Sequence, residues 1–422
     1  MIDGKNAPAS GSDAVVERDR GPLFALFAAN AVSMTGNVAA LIAIPWFVLE
    51  TTGSPAKTGV TAFAALLPVV LSGLFGGALV DRLGYRRASI LSDLASAGAV
   101  AAIPLLHSTI GLEFWQLVVL VFLGGLLDAP GSSARTALLP DAVARAGWSY
   151  ERATGAAAVV ERGSRLAGAP FAGLLIAVTG PTNVLWIDAA TFLVSAAAIA
   201  FGVPRPAKTT ERPATSYLRE LREGYAFLRR DRTLAVLVLT VALTNSLDAV
   251  AMVALPVYAR EVYGSAVSLG LFVGAAGAGS VVGALAFAGV GERLSRRRVF
   301  TFGFLFTSAW YPVAATFPPL GVLVGAKFLS GIASGPLNPV IDTVFLERIP
   351  EGMRGRVFGA THAAAWIAMP LGVLVAGWLI ETVGLRATLL GSGAAYVAVT
   401  LTARFSKALR DLDRRAGMPG RA

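Results

Sequence analysis

Long apolar stretches separated by short polar turns fill this chain. Twelve of them fall near residues 22–49, 58–80, 88–107, 114–134, 153–179, 184–203, 233–259, 266–290, 299–317, 319–346, 357–381 and 385–404. Each is close to the roughly 20 residues that a helix needs to cross a hydrocarbon core. Gly and Pro recur inside them, as in membrane helices, where neighbouring segments re-satisfy the backbone groups that such residues free. The pattern predicts an all-α integral membrane protein with twelve transmembrane helices.

The polar turns show a second periodicity. Gly77-Ala-Leu-Val-Asp81-Arg82-Leu-Gly84-Tyr-Arg86-Arg87 joins the second and third stretches. A degraded copy, Glu292-Arg293-Leu-Ser-Arg296-Arg297-Arg298, follows 211 residues later, half of the 422-residue chain. Ala172-Gly173-Leu-Leu-Ile-Ala-Val-Thr-Gly180 is likewise echoed by Ala376-Gly377-Trp-Leu-Ile-Glu-Thr-Val-Gly384, and Leu139-Pro140 by Ile349-Pro350. Such repeats predict two pseudo-symmetric six-helix bundles, residues 22–203 and 233–405, with tails 1–21 and 406–422 and a linker 204–232. The linker opens on Pro204-Arg-Pro206 and continues with Leu218, Leu221, Tyr225 and Leu228 on one helical face among Arg219, Arg222, Arg229 and Arg230. That is the pattern of an amphipathic helix lying on the inner leaflet; a solvated connector is the alternative.

Composition agrees with a membrane fold. Hydrophobic residues make up 55% and charged residues 15%, against about 45–50% and about 25% in soluble domains, and the mean hydropathy is +0.66. A net charge of +10 would suggest nucleic acid in a soluble protein. Here the charge has another meaning. With both termini cytoplasmic, only Lys57, Arg260 and Arg386 of the 36 Lys and Arg residues fall in outer loops, and only Arg162, Arg165 and Lys327 fall within helices. That bias sets the orientation and favours anionic membrane lipids as partners, not nucleic acid. The chain has no cysteine, which excludes disulfides and thiolate metal sites. Residues 1–21 lack the apolar core of a signal peptide, so the first membrane helix drives insertion.

The turn at 77–87 also reads as machinery. Gly77 lies four residues from Gly73, a small-xxx-small face for close helix packing. Asp81 sits where the second helix leaves the membrane, able to pair with an Arg or face a helix N-terminus. Arg86 and Arg87 are expected to anchor the hairpin in anionic headgroups. A breakable charged latch of this kind would hold the cytoplasmic side closed in one state only. The spacing G-x-x-x-D-R-x-G-x-R-R resembles the signature of the major facilitator superfamily between helices 2 and 3. Gly352-Met-Arg354-Gly355-Arg356-Val357-Phe-Gly359 and Asp128-Ala-Pro130-Gly-Ser-Ser-Ala-Arg135-Thr-Ala-Leu-Leu-Pro140-Asp141 resemble runs of its drug- and macrolide-exporting branch.

The resemblance spans about residues 20–405. It implies a major facilitator fold in a bacterial inner membrane, exporting amphipathic small molecules by alternating access and proton antiport. No cofactor is implied beyond the proton-motive force. It also implies a cytoplasmic gate near helix 11 for Asp81. Gly168-Ala-Pro170-Phe-Ala-Gly173 resembles the exporters' helix-5 pattern G-x-x-x-G-P-x-x-G, with Arg165 and Ala169 where glycines are usual. Pro170 removes one internal hydrogen bond, and Gly168 and Gly173 permit close packing, so this segment reads as a hinge or as a kinked structural helix.

Charges inside the membrane are costly and usually line a cavity or pair with one another. Taking helix 4 to end near residue 134 puts Asp128 roughly 9 Å above its inner end, with Glu161 and Arg165 about 12 and 18 Å up helix 5. Those depths predict a Glu161/Arg165/Asp128 cluster, either a proton- or substrate-responsive acid or a neutralised ion pair, with Arg162 nearby. In the second half Asp248 near Asn245 is the candidate titrating acid, and Lys327 and Asp342 lie on helix 10. Asn37 offers hydrogen bonds without titrating, and Trp366 either lines a cavity or packs. Asp93 and Asp188 near helix ends are read as structural. Val118 to Gly124 of helix 4 holds no basic residue, unlike many drug antiporters.

No phosphate-binding loop or metal-ligand cluster is evident, so neither an enzyme nor an ATP-driven pump is expected. The sequence leaves open a siderophore, lipid or other metabolite exporter, an uptake symporter and a non-transporting membrane sensor. A monomer is expected.

Overall fold

The computed structural model describes residues 19–205, 217–410 and 412; the side chains of 72–79, 81, 82, 217, 218, 220, 221, 292, 407 and 408 lie outside that description. All described regular structure is helical. The first half comprises α1 (Gly21–Thr52), α2 (Pro55–Leu83), α3 (Tyr85–Thr109), α4 (Phe114–Ala146), α5 (Tyr150–Thr179) and α6 (Pro181–Gly202). A linker helix, α7 (Tyr217–Arg230), leads to the second half. That half holds α8 (Arg232–Asp248) with α9 (Val250–Tyr263), α10 (Ala266–Val290), and α11 (Arg296–Thr307) with α12 (Trp310–Ala314). It continues with α13 (Leu320–Ser334) and α14 (Leu337–Arg348), α15 (Arg354–Ile367) and α16 (Met369–Val383), and α17 (Leu385–Phe405). Each paired set is one span in two pieces, so the described residues hold twelve spans at the twelve apolar stretches. Eight are long and apolar enough to cross a membrane on length and composition alone.

The halves differ in continuity. Pro45, Pro68, Pro104, Pro130, Pro140 and Pro170 all lie inside first-half helices that run on through them. Four second-half spans are interrupted, near residues 249, 308, 335 and 368. Three of these interruptions are stabilised from outside the span. Tyr311 Oη donates to Leu247 O at 2.7 Å, Ser330 Oγ to Thr307 O at 2.7 Å, and Asn245 Nδ2 and Ser246 Oγ to Ala365 O and Ala368 O at 3.0 and 3.2 Å. Carbonyls freed by a break inside lipid must find a donor, and these side chains are the donors.

The duplication is visible atom by atom. Arg86 donates to Val203 O at 2.7 Å and to Ala200 O, closing the C-terminus of α6. Arg297, 211 positions on, donates to Arg404 O at 2.9 Å at the end of α17. Arg86 is therefore bound to helix carbonyls instead of to headgroups, a favourable place for a cation; Arg87 is the exposed member. Gly84 turns the chain between α2 and α3 at φ 77°, a left-handed conformation that glycine adopts without strain. Its counterpart Ser295 caps α11 instead, accepting from Arg298 N at 3.3 Å.

Two crossings join the halves, both at the face remote from the linker (the far face). In one, α5 meets α10: a Cβ on Gly173 would fall 2.7 Å from Ala266 O and 3.1 Å from Gly270 Cα. In the other, α16 meets α2: a Cβ on Gly377 would fall 2.7 Å from Pro55 O and 2.9 Å from Gly59 Cα. Backbones touch there because side chains are absent. Toward the linker face the same stripe of α5 continues through Arg162, Val159 and Gly155, all exposed. A separate cleft of about 800 Å³ lies within the second half, between the end of α10 and α14, lined by Ala284, Ala288, Arg293, Pro339 and Thr343 among others. The glycine-mediated close contacts between the halves thus lie at the far face, and toward the linker face the α5 stripe is uncovered.

Helix α7 does not lie free on a surface. Leu228 is buried, Gly224 sits against the Arg356 backbone of α15, and Glu223 pairs with Arg356 at 2.7 Å. Protein, rather than lipid, covers this part of its apolar face.

Candidate functional site

The strongest polar site lies in the core of the first half. Arg135, 2% exposed, is its centre. Its guanidinium donates to Asp93 Oδ1 of α3 at 2.7 Å, to Asn30 Oδ1 of α1 at 2.9 Å and to Ser33 Oγ of α1 at 3.5 Å. Ser195 of α6 donates to the other Asp93 oxygen at 2.7 Å. Two turns away on α4, Asp128 accepts from Asn37 Nδ2 at 3.1 Å, and its second oxygen lies 3.9 Å from Arg135 Nη2. That second oxygen is buried and has no hydrogen-bond partner among the described residues. Asp188 of α6, also buried, receives Thr191 Oγ1 at 3.4 Å. Four helices thus place two carboxylates, Asp93 and Asp128, against one guanidinium, with Asp188 buried separately on α6.

This arrangement corrects several sequence expectations. Helix α4 runs on to Ala146, so Arg135 is a buried helix residue and not a loop cation. Asp128 then stands roughly 27 Å from the linker-side end of α4, about 10 Å beyond Glu161 on α5. The Glu161/Arg165/Asp128 cluster consequently does not form. Glu161 and Arg165 pair with each other at 3.2 Å, 52% and 65% exposed, on the face of α5 opposite Phe171, Leu174 and Val178. Those three are exposed apolar residues, as suits a lipid-facing surface, and the Glu161–Arg165 pair is turned away from them. Asp93 is a member of the core network, and Asp188 is buried on α6 beside Gly36 of α1, so neither is a helix-end residue.

Hydropathy hid this network because its polar residues look like a membrane exit. Ser132, Ser133 and Thr136 donate back to helix carbonyls at 3.0, 3.1 and 3.1 Å, which lets α4 stay helical through them. The Asp128-to-Arg135 spacing, seven residues or two turns on one helix, was the available signal.

The second half holds a different polar core. Asp248, at the break between α8 and α9, accepts from Tyr396 Oη of α17 at 3.2 Å. Lys327 of α13 is 8% exposed, and its Nζ sits 4.2 Å over the Trp310 ring of α12. Tyr311 and Tyr396 complete the surround, with ring centroids 6.4 Å apart. Asp342 is exposed on α14. On α15, His362 and Trp366 stack at 5.6 Å, one turn apart on the face where Phe358 reaches Phe345 of α14. Gly168 lies against Val38 of α1, while Pro170 packs on Gly274 and Gly173 on Gly270, so all three expected hinge residues are packing points of an unbroken α5. The side chains of Asp81 and Arg82, and Gly77 with them, lie outside the described residues. No group of three or more His, Cys, Asp or Glu suited to a metal ion occurs among the described residues.

Comparison with known proteins places this architecture. Residues 20–420 match a family described as transmembrane secretion effector. The multidrug efflux pump Tap of Mycobacterium tuberculosis is 35% identical over 406 residues, covering 94% of this chain and 96% of that protein. Macrolide efflux protein A of Streptococcus pyogenes is 22% identical over 394 residues, covering 92% and 97%. The crystal structure of the nucleoside transporter NupG superposes with a TM-score of 0.75 at 12% identity, covering 90% of this chain and 98% of that one, which shows the shared fold.

Proposed function

The chain belongs to the transmembrane secretion effector family of major facilitator transporters, and from that premise we propose that it exports amphipathic small molecules, drugs among them, by proton antiport. It is a transporter and not an enzyme. The similarity to a multidrug efflux pump over nearly the whole chain supports the substrate class. The Lys and Arg distribution supports an inner-membrane protein with both termini and α7 in the cytoplasm. In that orientation the linker face receives substrate from the cytoplasm. The Glu161–Arg165 pair and the His362–Trp366 stack offer it charge and an aromatic surface. Asp81 serves as the gate that closes this face in the opposite state.

Coupling rests on one observation: the unpartnered, buried oxygen of Asp128 beside Arg135. Ionised, Asp128 is held by Asn37 and attracted by Arg135. Protonated, it releases its share of Arg135 to Asp93, and its own O–H becomes a donor. A proton arriving from outside and leaving inside through this carboxyl would therefore change the pull between α4, α1 and α3 at each turn of the cycle.

Purified protein in vesicles should move a lipophilic dye against its gradient when a pH gradient is imposed. Asp128→Asn should fold normally, keep substrate exchange at equal pH and lose the response to the gradient. An Asp128→Asn protein whose transport still follows the imposed pH difference would overturn the coupling reading.

A further inference from the structure

The two far-face crossings are twins in backbone but not in chemistry. Gly53-Ser54 ahead of α2 and Gly264-Ser265 ahead of α10 stand 211 positions apart, and each glycine ends the preceding helix in a left-handed conformation, φ 67° and 62°. Gly59 and Gly270 then make the equivalent close contacts with α16 and α5. Only the α2 crossing carries charge. Glu381, in the last turn of α16, accepts from Ser54 Oγ and, at 2.9 Å, from the backbone N–H of Ala56. Ser54 is also the N-cap of α2, accepting from Lys57 N at 3.1 Å. A carboxylate from one half thus occupies the first turn of a helix in the other, where unpaired N–H groups and the helix dipole favour negative charge.

The matching position in α5 is Ala177, three residues before Gly180 as Glu381 is before Gly384. The N-cap of α10, Ser265, makes no side-chain cap bond. Nothing polar from α5 answers it in the way that Glu381 answers Ser54.

We infer that Glu381 is a one-sided latch on the far face, engaged whenever that face is closed and released each time it opens. The groups involved sit at an exposed rim, so water can replace each bond as the latch lets go, and the cost of release stays small. With α2 held and α10 free, the far face opens from the α5–α10 crossing, and the α2–α16 crossing parts last. The inference rests on reading the molecule as an alternating-access transporter. Its test measures the far-face gap directly, so the answer does not depend on the substrate or on the coupling ion.

The absence of cysteine gives a clean background for labelling. Spin labels at Ile110→Cys and Arg386→Cys, exposed far-face positions in opposite halves, report the gap in full-length protein in lipid nanodiscs. Glu381→Ala should raise the far-open population about fivefold, the size expected for loss of one helix cap; Glu381→Gln keeps an acceptor oxygen for Ser54 and Ala56 and should raise it by less. Ala177→Glu in the Glu381→Ala background should return part of the closed population by capping α10. Distance distributions that superimpose for the unmodified, Gln and Ala proteins would overturn the latch. A fall in melting temperature without a change in the gap would do so equally, since it marks a contact that only stabilises.

Discussion

In the first half the buried polar groups are side chains that answer one another, whereas in the second they are largely backbone carbonyls answered by side chains. Asp93, Arg135, Asp128 and Asn37 bind unbroken helices together through charge. Tyr311, Ser330, Asn245 and Ser246 instead support breaks in the spans. The pair Asn37 and Asp248, 211 positions apart in the two copies, condenses the divergence. The first is an amide serving a neighbouring acid, and the second is an acid served by Tyr396. A duplicated fold can therefore divide labour. One bundle keeps rigid helices around a charge cluster, and the other keeps a jointed set of helices around an aromatic core.

The largest expected effect tests whether the first-half network holds the fold. Arg135→Leu leaves Asp93 and Asp128 buried without their cation and should destabilise the protein by about 3–5 kcal/mol, read as a lower melting temperature in detergent and poor recovery. Lys327→Met removes the cation that attracts Asp248 in the other core and should be milder, about 1–3 kcal/mol. Methionine keeps the stem volume and the contact with Trp310, and Asp248 keeps Tyr396. Equal losses in the two variants would break the comparison. The smallest effect tests where the halves remain alike: Arg86→Ala and Arg297→Ala should cost similar amounts, about 0.5–1.5 kcal/mol each, in the same melting experiment.

The twelve spans and the duplication are legible in the sequence because apolar length and charge asymmetry are direct consequences of the bilayer. The echoing motifs at Gly173 and Gly377 are legible too, and they turn out to mark the two crossings between the halves. The core network is only partly legible. Asp128 and Asn37 stand out as polar residues within apolar stretches. Arg135 does not, because a cation after Ser132 and Ser133 has the same composition as a loop, and only packing shows that α1, α3 and α6 enclose it. Depth errors follow from that boundary, which is why the spacing places Glu161 beside Asp128 when the fold does not. The breaks in the second half are also hidden, since proline marks them no better than it marks the continuous helices of the first. At three of the four breaks the support is a donor on a neighbouring helix, and sequence spacing does not reveal it.

The glycine crossings have a consequence for how such a protein can change over generations. A joint made of backbone against backbone stores none of its fit in side-chain shape. The residues proposed to meet substrate, Glu161, Arg165, His362 and Trp366 among them, can then be altered without recutting the surfaces where the halves meet. New cargo preferences can accumulate on one set of positions while the mechanical bearing is inherited unchanged.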